Sequence, residues 1–160
     1  MPLSASILTR LRHQHEAIPE LIGDLTEEEL KRRVNPDKWS AFEHIAHLAA
    51  YQPMFIGRLE RLASEPTPSF ERYVAENDPQ FADCVNTPLN KLLERISISA
   101  TQITTKLTGA FNDAGLLRTG LHPRYGQLTV MQWTQFYLLH EAHHLFTIFM
   151  LTQDLRAARV

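Results

Sequence analysis

The sequence predicts an all-α protein, a four-helix bundle with long crossover connections. Four segments repeat apolar residues at intervals of three or four, which is the spacing of one face of an α-helix. Ser/Thr-x-x-Glu/Gln signatures, typical of helix starts, precede two of these segments, and no pair of segments alternates as two strands would. The length of 160 residues matches one domain that spans residues 1–160.

The first helix is predicted from about Ser4 to Ile22. Pro19 favours a kink or an early end, because proline lacks an amide proton and its ring clashes with the preceding turn. A short helix should follow at Thr26, where Glu29 completes a capping box. His15 lies on the apolar stripe of the first helix, and we expect it to be buried and hydrogen-bonded to a neighbour.

The second and third long helices form the middle of the chain. The second is predicted from Ser40, which opens another capping box, to about Ala63, with a kink at Pro53. The third should open at Thr87 and Pro88, a capping residue followed by a proline in the first helical position. Its apolar stripe is Leu89, Leu92, Ile96, Ala100, Ile103, Leu107 and Phe111.

The fourth long helix is predicted from the capping residue Thr129 to about Gln153. Its core stripe is Val130, Trp133, Tyr137, His140, His144 and Leu151. Long connections precede the third and fourth helices, and the first of them runs from Ser64 to Asn86. Connections of this length permit crossovers between helices, and long loops in compact domains are often functional.

The net charge indicates which partners the protein is expected to bind, and the cysteine content indicates its cellular compartment. Sixteen basic and eighteen acidic residues give a net charge of −2, which disfavours nucleic acid or an anionic membrane as a partner. The single cysteine, Cys84, excludes an internal disulfide and fits a reducing compartment. The N-terminus lacks a secretory pattern and no apolar run approaches the ~20 residues that span a bilayer, so we expect a cytoplasmic protein.

The histidines of the second and fourth helices predict a metal site. His140 and His144 are four residues apart in the core stripe, so their imidazoles share a face and converge on one ion. His44 and His47 lie near the inner face of the second helix, and spacing alone does not choose between them. Several buried imidazoles need partners or a metal, which favours a metal over simple packing.

The fourth helix also matches the sequence pattern of a zincin metalloprotease. Residues 140–144 match the pattern HExxH, with Glu141 as the base. That chemistry needs a third ligand downstream. The remaining sixteen residues contain no histidine or glutamate, and Asp154 is their only acid. The composition of this tail therefore disfavours a zincin.

Several short motifs carry a family resemblance. They are Leu25-Thr26-Glu27-Glu28-Glu29-Leu30, Asp37-Lys38-Trp39-Ser40, His47-Leu48, and His122-Pro123-Arg124-Tyr125-Gly126-Gln127-Leu128-Thr129 followed by His140 and His144. With them the chain resembles, over most of its length, the DinB/YfiT-like superfamily of metal-binding four-helix proteins. The resemblance implies a divalent metal, commonly zinc or nickel, bound by His47, His140 and His144. In many relatives an aspartate stands at the position of Glu141.

The resemblance also implies a class of activity. Three neutral histidines leave a coordination position open for water or for a thiolate. Relatives include enzymes that use a low-molecular-weight thiol and proteins that are described as hydrolases, so we expect a metal-dependent thiol transferase or hydrolase that acts on a small molecule. A homodimer formed through helix faces is the expected assembly. The candidate residues around the metal are Trp39, Tyr51, Arg58 and Tyr125, with Glu141 orienting a ligand imidazole.

Two other classes of protein fit the same sequence. One is a non-catalytic bundle that binds a metal or ligand in a stress or regulatory role, because no nucleophile or acid/base pair accompanies the histidines. The other is a purely structural bundle, whose stability would not change when a chelator is added.

Overall fold

The computed structural model describes residues 2–159, and its helices form the predicted four-helix bundle. The elements in chain order are α1 (Ala5–His13), α2 (Ala17–Ile22), α3 (Glu27–Lys31), α4 (Ala41–Ser64), α5 (Pro79–Val85), α6 (Leu89–Ala110), β1 (Thr119–His122), β2 (Gly126–Thr129) and α7 (Val130–Ala157). α1 and α2 together make the first long segment, and α4, α6 and α7 make the other three.

The first helical segment is interrupted before its proline. A 3₁₀ turn at residues 14–16 separates α1 from α2, and α2 then continues past Pro19 to Ile22. The proline ring clashes with the carbonyl four residues earlier, at His15, so the irregularity falls there. His15 is buried, but its Nδ1 forms no hydrogen bond with the described residues. The expectation that a neighbour satisfies His15 is therefore wrong for that nitrogen.

Three predicted capping boxes are confirmed. The side chains of Thr26, Ser40 and Thr129 each accept a hydrogen bond from the amide three residues later, and the side chain there bonds back. These boxes fix the starts of α3, α4 and α7. α4 continues through Pro53 without a break. α7 ends at Ala157, a turn beyond the predicted end.

The start of α6 is capped by a distant residue. The hydroxyl of Thr87 donates to the carbonyl of Asp83 at 2.8 Å and does not cap the helix. The amide of Leu89 donates to the carboxylate of Glu27 on α3, at 2.9 Å. The predicted local cap is wrong because a tertiary contact supplies the acceptor that an exposed helix start needs.

The connection between α4 and α6 contains a helix that the sequence analysis missed. α5 begins at Pro79, and the carboxylate of Asp78 accepts from the amide of Gln80 at 2.9 Å. An acidic cap followed by proline in the first position is a recognisable helix start. The segment has only seven residues, too few to show a helical period.

The connection before α7 is a β-hairpin, which corrects the expectation of no strand pair. β1 and β2 are antiparallel, with Thr119 opposite Thr129 and His122 opposite Gly126. Four residues in each strand are too few to show an alternating pattern. Gly126 has φ 72°, a conformation that glycine adopts without steric cost, and it follows the turn.

The two connections pack on each other at the end of α4. The amide of Leu121 donates to the carbonyl of Pro68, and the amide of Phe70 donates to the carbonyl of Leu121. A Cβ at Gly120 would lie 2.8 Å from side-chain atoms of Leu62 and Phe70, so this approach requires glycine. Both connections are thereby held beside the inner face of α4.

The packing of the helices leaves apolar side chains of α7 exposed. α4 packs against both α6 and α7, while α1 packs on α6 and α2 packs on α7. α7 exposes four large apolar side chains: Leu139, Phe146, Phe149 and Met150. The expected homodimer stays a prediction. Among the described helices, none has the length and apolar character needed to cross a bilayer.

Candidate metal centre

Three imidazoles from α4 and α7 meet in the interior of the bundle. The Nε2 atom of His47 lies 3.1 Å from Nε2 of His140, which lies 3.2 Å from Nε2 of His144. One ring nitrogen from each residue falls within 4.8 Å of the other two. The structure thus brings together the three histidines that the resemblance implies.

Helix geometry accounts for this convergence. His140 and His144 occupy adjacent turns of one face of α7, and that face packs on the face of α4 that carries His47. His47 is 4% exposed and His144 is 7% exposed, while His140 is partly open to solvent. The rings are therefore held by packing, with one edge of the group accessible.

The spacing and chemistry of these nitrogens fit a divalent cation. Zinc–nitrogen bonds of 2.0–2.1 Å place tetrahedral ligands about 3.3 Å apart, close to the two Nε2 separations. Three neutral imidazoles that face one another cannot satisfy all three lone pairs with the protons they share. A cation at the centre would satisfy them together.

Burial keeps these imidazoles neutral. Desolvation, followed by repulsion from neighbouring histidines, lowers the pKa of His47 and His140 to about 3 and that of His144 to about 2. Neutral imidazoles are the form that binds a metal. At neutral pH the cluster therefore presents lone pairs rather than positive charges.

His44 lies behind the cluster and contacts one of its members. Its Nδ1 is 2.8 Å from Nδ1 of His144. When His144 presents the lone pair of Nε2 to the cluster, its Nδ1–H donates to His44. Such a partner fixes the tautomer and the orientation of a metal-binding imidazole. The spacing in the sequence left His44 and His47 as alternative metal ligands. In the structure His47 belongs to the cluster, and His44 contacts His144 from behind it.

Glu141 faces away from the histidines. Its carboxylate accepts hydrogen bonds from the side-chain amide of Gln14 at 2.8 Å and from that of Gln52 at 3.4 Å. The hydroxyl of Tyr137 donates to it at 3.5 Å. The predicted role of Glu141 in orienting a ligand imidazole is therefore wrong, and its position also excludes the zincin arrangement.

Aromatic rings surround the imidazoles. Tyr51 stacks on His140 with 4.0 Å between centroids, and Trp39 packs against His47 at 5.2 Å. Tyr73, from the connection after α4, contacts His47 at 5.7 Å. These rings restrict the imidazole rotamers and limit the access of water.

An open cavity of about 700 Å³ leads to the cluster, a volume typical of small-molecule sites. All four residues predicted around the metal line it: Trp39, Tyr51, Arg58 and Tyr125. The other lining residues include Arg72, Tyr73, His122, Arg124 and Phe136. His122 and Arg124 belong to a motif that carries the family resemblance, whereas the length of the connection after α4 was the only signal in the sequence for Arg72 and Tyr73.

His122 is held in one tautomer at the cavity wall. Its Nδ1 accepts from the backbone amides of Arg124 at 3.0 Å and Tyr125 at 3.1 Å, so its proton is on Nε2. Burial, with the charges of Arg58 and Arg124, lowers its pKa. His122 therefore adds a neutral N–H donor to the wall, outside the three-histidine cluster.

Comparisons with known proteins match this architecture. The family model described as the DinB superfamily matches residues 10–148. A similar solved structure is YfiT from Bacillus subtilis, described as a probable metal-dependent hydrolase with an unusual four-helix bundle topology. It has a TM-score of 0.79 and 18% identity, over 95% of this chain and 89% of that one.

A second solved structure is also similar in fold. TT2238, described as a four-helix bundle protein, has a TM-score of 0.56 and 20% identity, over 89% of this chain and 95% of that one. No curated protein sequence matches the chain. At these identities the two structures bear on the fold alone.

Proposed function

This chain belongs to the DinB superfamily, and from that premise we propose that it is a metal-dependent hydrolase of a small molecule. The observation that carries the proposal is the convergence of three neutral imidazoles at the inner end of an open cavity. The description of YfiT as a probable metal-dependent hydrolase agrees with this proposal.

In this proposal His47, His140 and His144 bind one divalent cation, zinc or nickel. Imidazole nitrogen suits both metals, and three protein ligands are typical of catalytic zinc sites. Such a cation supplies Lewis-acid chemistry, because it polarises a carbonyl or phosphoryl oxygen and lowers the pKa of water. The assignment of the three ligands rests on their geometry and on the family resemblance.

The other residues of the site position the metal ligands and bind the substrate. His44 holds the ring of His144 through their Nδ1 atoms. Trp39, Tyr51 and Tyr73 cover the imidazoles and exclude bulk water, which strengthens electrostatic interactions within the site. His122 presents its Nε2–H at the cavity wall as a hydrogen-bond donor for a substrate oxygen.

The test uses protein purified without a histidine tag. We expect about one equivalent of zinc or nickel per chain by elemental analysis, and metal-dependent turnover of small esters or amides. The double substitution His140→Ala and His144→Ala should remove both the metal and the turnover. His13→Ala, at an exposed position, is the control and should retain both. Wild-type protein that binds no divalent metal above background would refute the proposal.

A thiol transferase is the second candidate, and the size of the cavity favours it. A volume of about 700 Å³ has room for a thiol and an acceptor together. The chain's own thiol, Cys84, is buried beside Arg95 at a separate pocket, so the thiol would be an external low-molecular-weight compound. Assays with and without such a thiol on the metal-loaded protein distinguish the two reactions.

The non-catalytic alternative makes a different prediction. A bundle that only binds a metal or ligand would take up the cation and show no turnover with either set of substrates. Metal binding without activity across both assays would therefore favour a regulatory or stress-related role.

A further inference from the structure

The cavity contains a buried positive charge that has no negative partner in the described part of the chain. Arg58 lies on α4, lines the same cavity as the three histidines, and is 8% exposed. Its guanidinium donates to the backbone carbonyl of Glu71 at 2.9 Å and packs over the rings of Phe70 and Trp133. Within residues 2–159, no carboxylate forms an ion pair with Arg58.

A neighbouring arginine shows the usual arrangement. Arg61, one turn further along α4, also packs on Phe70 and donates to the carbonyl of Ser69 at 3.2 Å. Unlike Arg58, it forms an ion pair with Glu65 at 2.7 Å and does not line the cavity of the histidines. An arginine can therefore support the connection after α4 while it is paired with a carboxylate, so this role does not explain why Arg58 is unpaired.

An unpaired buried guanidinium is costly. Desolvation lowers the pKa of Arg58, and nearby Tyr51 partly opposes this effect. A guanidinium has five N–H donors, and within residues 2–159 that of Arg58 forms one hydrogen bond, so its other donors are free to bind a group in the open cavity. A ligand anion in the cavity would supply both the missing charge and the missing acceptors.

We propose that Arg58 binds an anionic group of the substrate, a carboxylate or a phosphate, while the reacting bond lies at the three-histidine cluster. The inference rests on the proposed function. Arg58 follows His47 by eleven residues on α4, which is a rise of about 16 Å between their backbone positions. Its side chain lines the same cavity as the cluster, and its charge acts on His140. Arg58 and the three histidines are therefore separate groups that face one substrate, and Arg58 is a specificity residue rather than a catalytic one.

The first experiment measures anion binding to metal-free protein, so that the cation does not contribute. Inorganic phosphate and acetate are the two probes, titrated at low ionic strength and followed by calorimetry. We expect wild-type protein to bind at least one of them, and the stronger of the two identifies the anion. Arg58→Met should weaken that binding at least tenfold, and Arg58→Lys should restore part of it. Arg61→Met is the matched control and should bind as wild type does.

Two outcomes would overturn the inference. Wild-type protein that binds neither probe would do so, and so would an Arg58→Met variant that binds as tightly as wild type. Circular dichroism and thermal melting establish that each variant is folded. If Arg58→Met fails to fold, Arg58→Gln takes its place under the same criteria.

The second experiment separates this inference from the proposed function. With metal-loaded protein and a matched pair of esters, one neutral and one carrying a carboxylate, Arg58→Met should raise KM at least tenfold for the anionic ester alone. Its kcat and metal content should stay within twofold of wild type. Equal effects on both esters would refute the role of Arg58, whereas absence of metal from the wild-type protein would refute the proposed function.

Discussion

Two buried polar clusters lie back to back between α4 and α7. One is the imidazole cluster of His47, His140 and His144, and the other is the glutamate cluster of Glu141 with Gln14, Gln52 and Tyr137. His140 and Glu141 are consecutive in sequence, yet they belong to different clusters. One helical residue turns the side-chain direction by about 100°, which places them on different faces of α7.

The clusters differ in whether the protein satisfies their ionisable groups, although Oε1 of Gln52 in the glutamate cluster has no partner among the described residues. In the glutamate cluster, both carboxylate oxygens accept hydrogen bonds from amide or hydroxyl donors of the chain. In the imidazole cluster, nitrogen lone pairs face one another without enough protons to pair them. The comparison indicates that Glu141 stabilises the fold, whereas the imidazole cluster requires a ligand from outside the chain.

The largest expected effect is on acid stability of the metal-free protein. The pKa of the three imidazoles is lowered, so the unfolded chain takes up protons first as the pH falls below about 6.5, and stability is lost from there to about pH 3. Each imidazole should cost up to about 1.4 kcal/mol per pH unit. Denaturant unfolding between pH 7 and pH 5 measures this loss, and exposed His13→Gln should leave it unchanged.

The titration of Glu141 should change the stability of the protein in the opposite direction as the pH falls. Burial raises its pKa to about 7, so its stabilising contribution is complete below its unfolded value of about 4.5 and is lost as the pH rises towards 7. On acidification it partly offsets the imidazoles. Glu141→Gln should therefore make the loss of stability between pH 7 and pH 5 steeper, and a shallower slope would contradict this assignment.

The second effect is stabilisation by zinc. At a free concentration 100 times the Kd, a ligand that binds only the folded state adds about 2.7 kcal/mol. We expect zinc to raise the Tm of wild type and of Glu141→Gln, and to have little effect on His47→Ala. A chelator should reverse the shift. Equal shifts in the Tm of wild type and His47→Ala would contradict the conclusion that the imidazole cluster, unlike the glutamate cluster, requires a ligand.

The third effect is the loss of the glutamate cluster. Glu141→Ala removes the acceptor that the amides of Gln14 and Gln52 share, although each keeps a second bond, to the carbonyl of Leu138 and to the hydroxyl of Tyr137 respectively. The substitution also opens a cavity, so the free energy of unfolding should fall by about 2 kcal/mol. Zinc affinity should stay within a factor of two. Denaturant unfolding and zinc titration measure the two quantities on one variant. A large fall in zinc affinity would indicate that the clusters are coupled.

The smallest effect concerns His44. His44→Ala removes the partner of His144 Nδ1 and should weaken zinc binding about tenfold through poorer orientation. His143→Ala is the matched control, since His143 is exposed and adjacent to His144, and in the described structure it meets His144 through a ring-edge contact at 5.4 Å without a hydrogen bond. Similar affinities for the two variants would mean that the contact with His44 does not position the ligand.

Much of the fold could be predicted because its signals are local. The capping boxes at Thr26, Ser40 and Thr129 involve residues three apart, and each is present in the structure. The stripe of α6 likewise follows from helical periodicity alone. α5 and the hairpin were missed, because seven residues and two runs of four residues are too short for a periodic pattern.

The candidate site was only partly accessible to the same reasoning. The i,i+4 spacing brought His140 and His144 to one face, and the resemblance selected His47 over His44. Nothing in the spacing showed that His44 would contact His144 from behind. The acceptor that caps α6 is 62 residues away along the chain, on Glu27.

The sequence by itself determined the long helical segments, most of their starts and the face that carries each histidine, because those properties depend on neighbours within one or two turns. Tertiary structure alone decided which polar groups are satisfied. It gave Glu141 a set of donors, left the imidazoles facing one another, and left Arg58 without a carboxylate among residues 2–159. These outcomes depend on how distant helices and connections pack, and the free energy of a buried polar group is set by the partner that packing supplies.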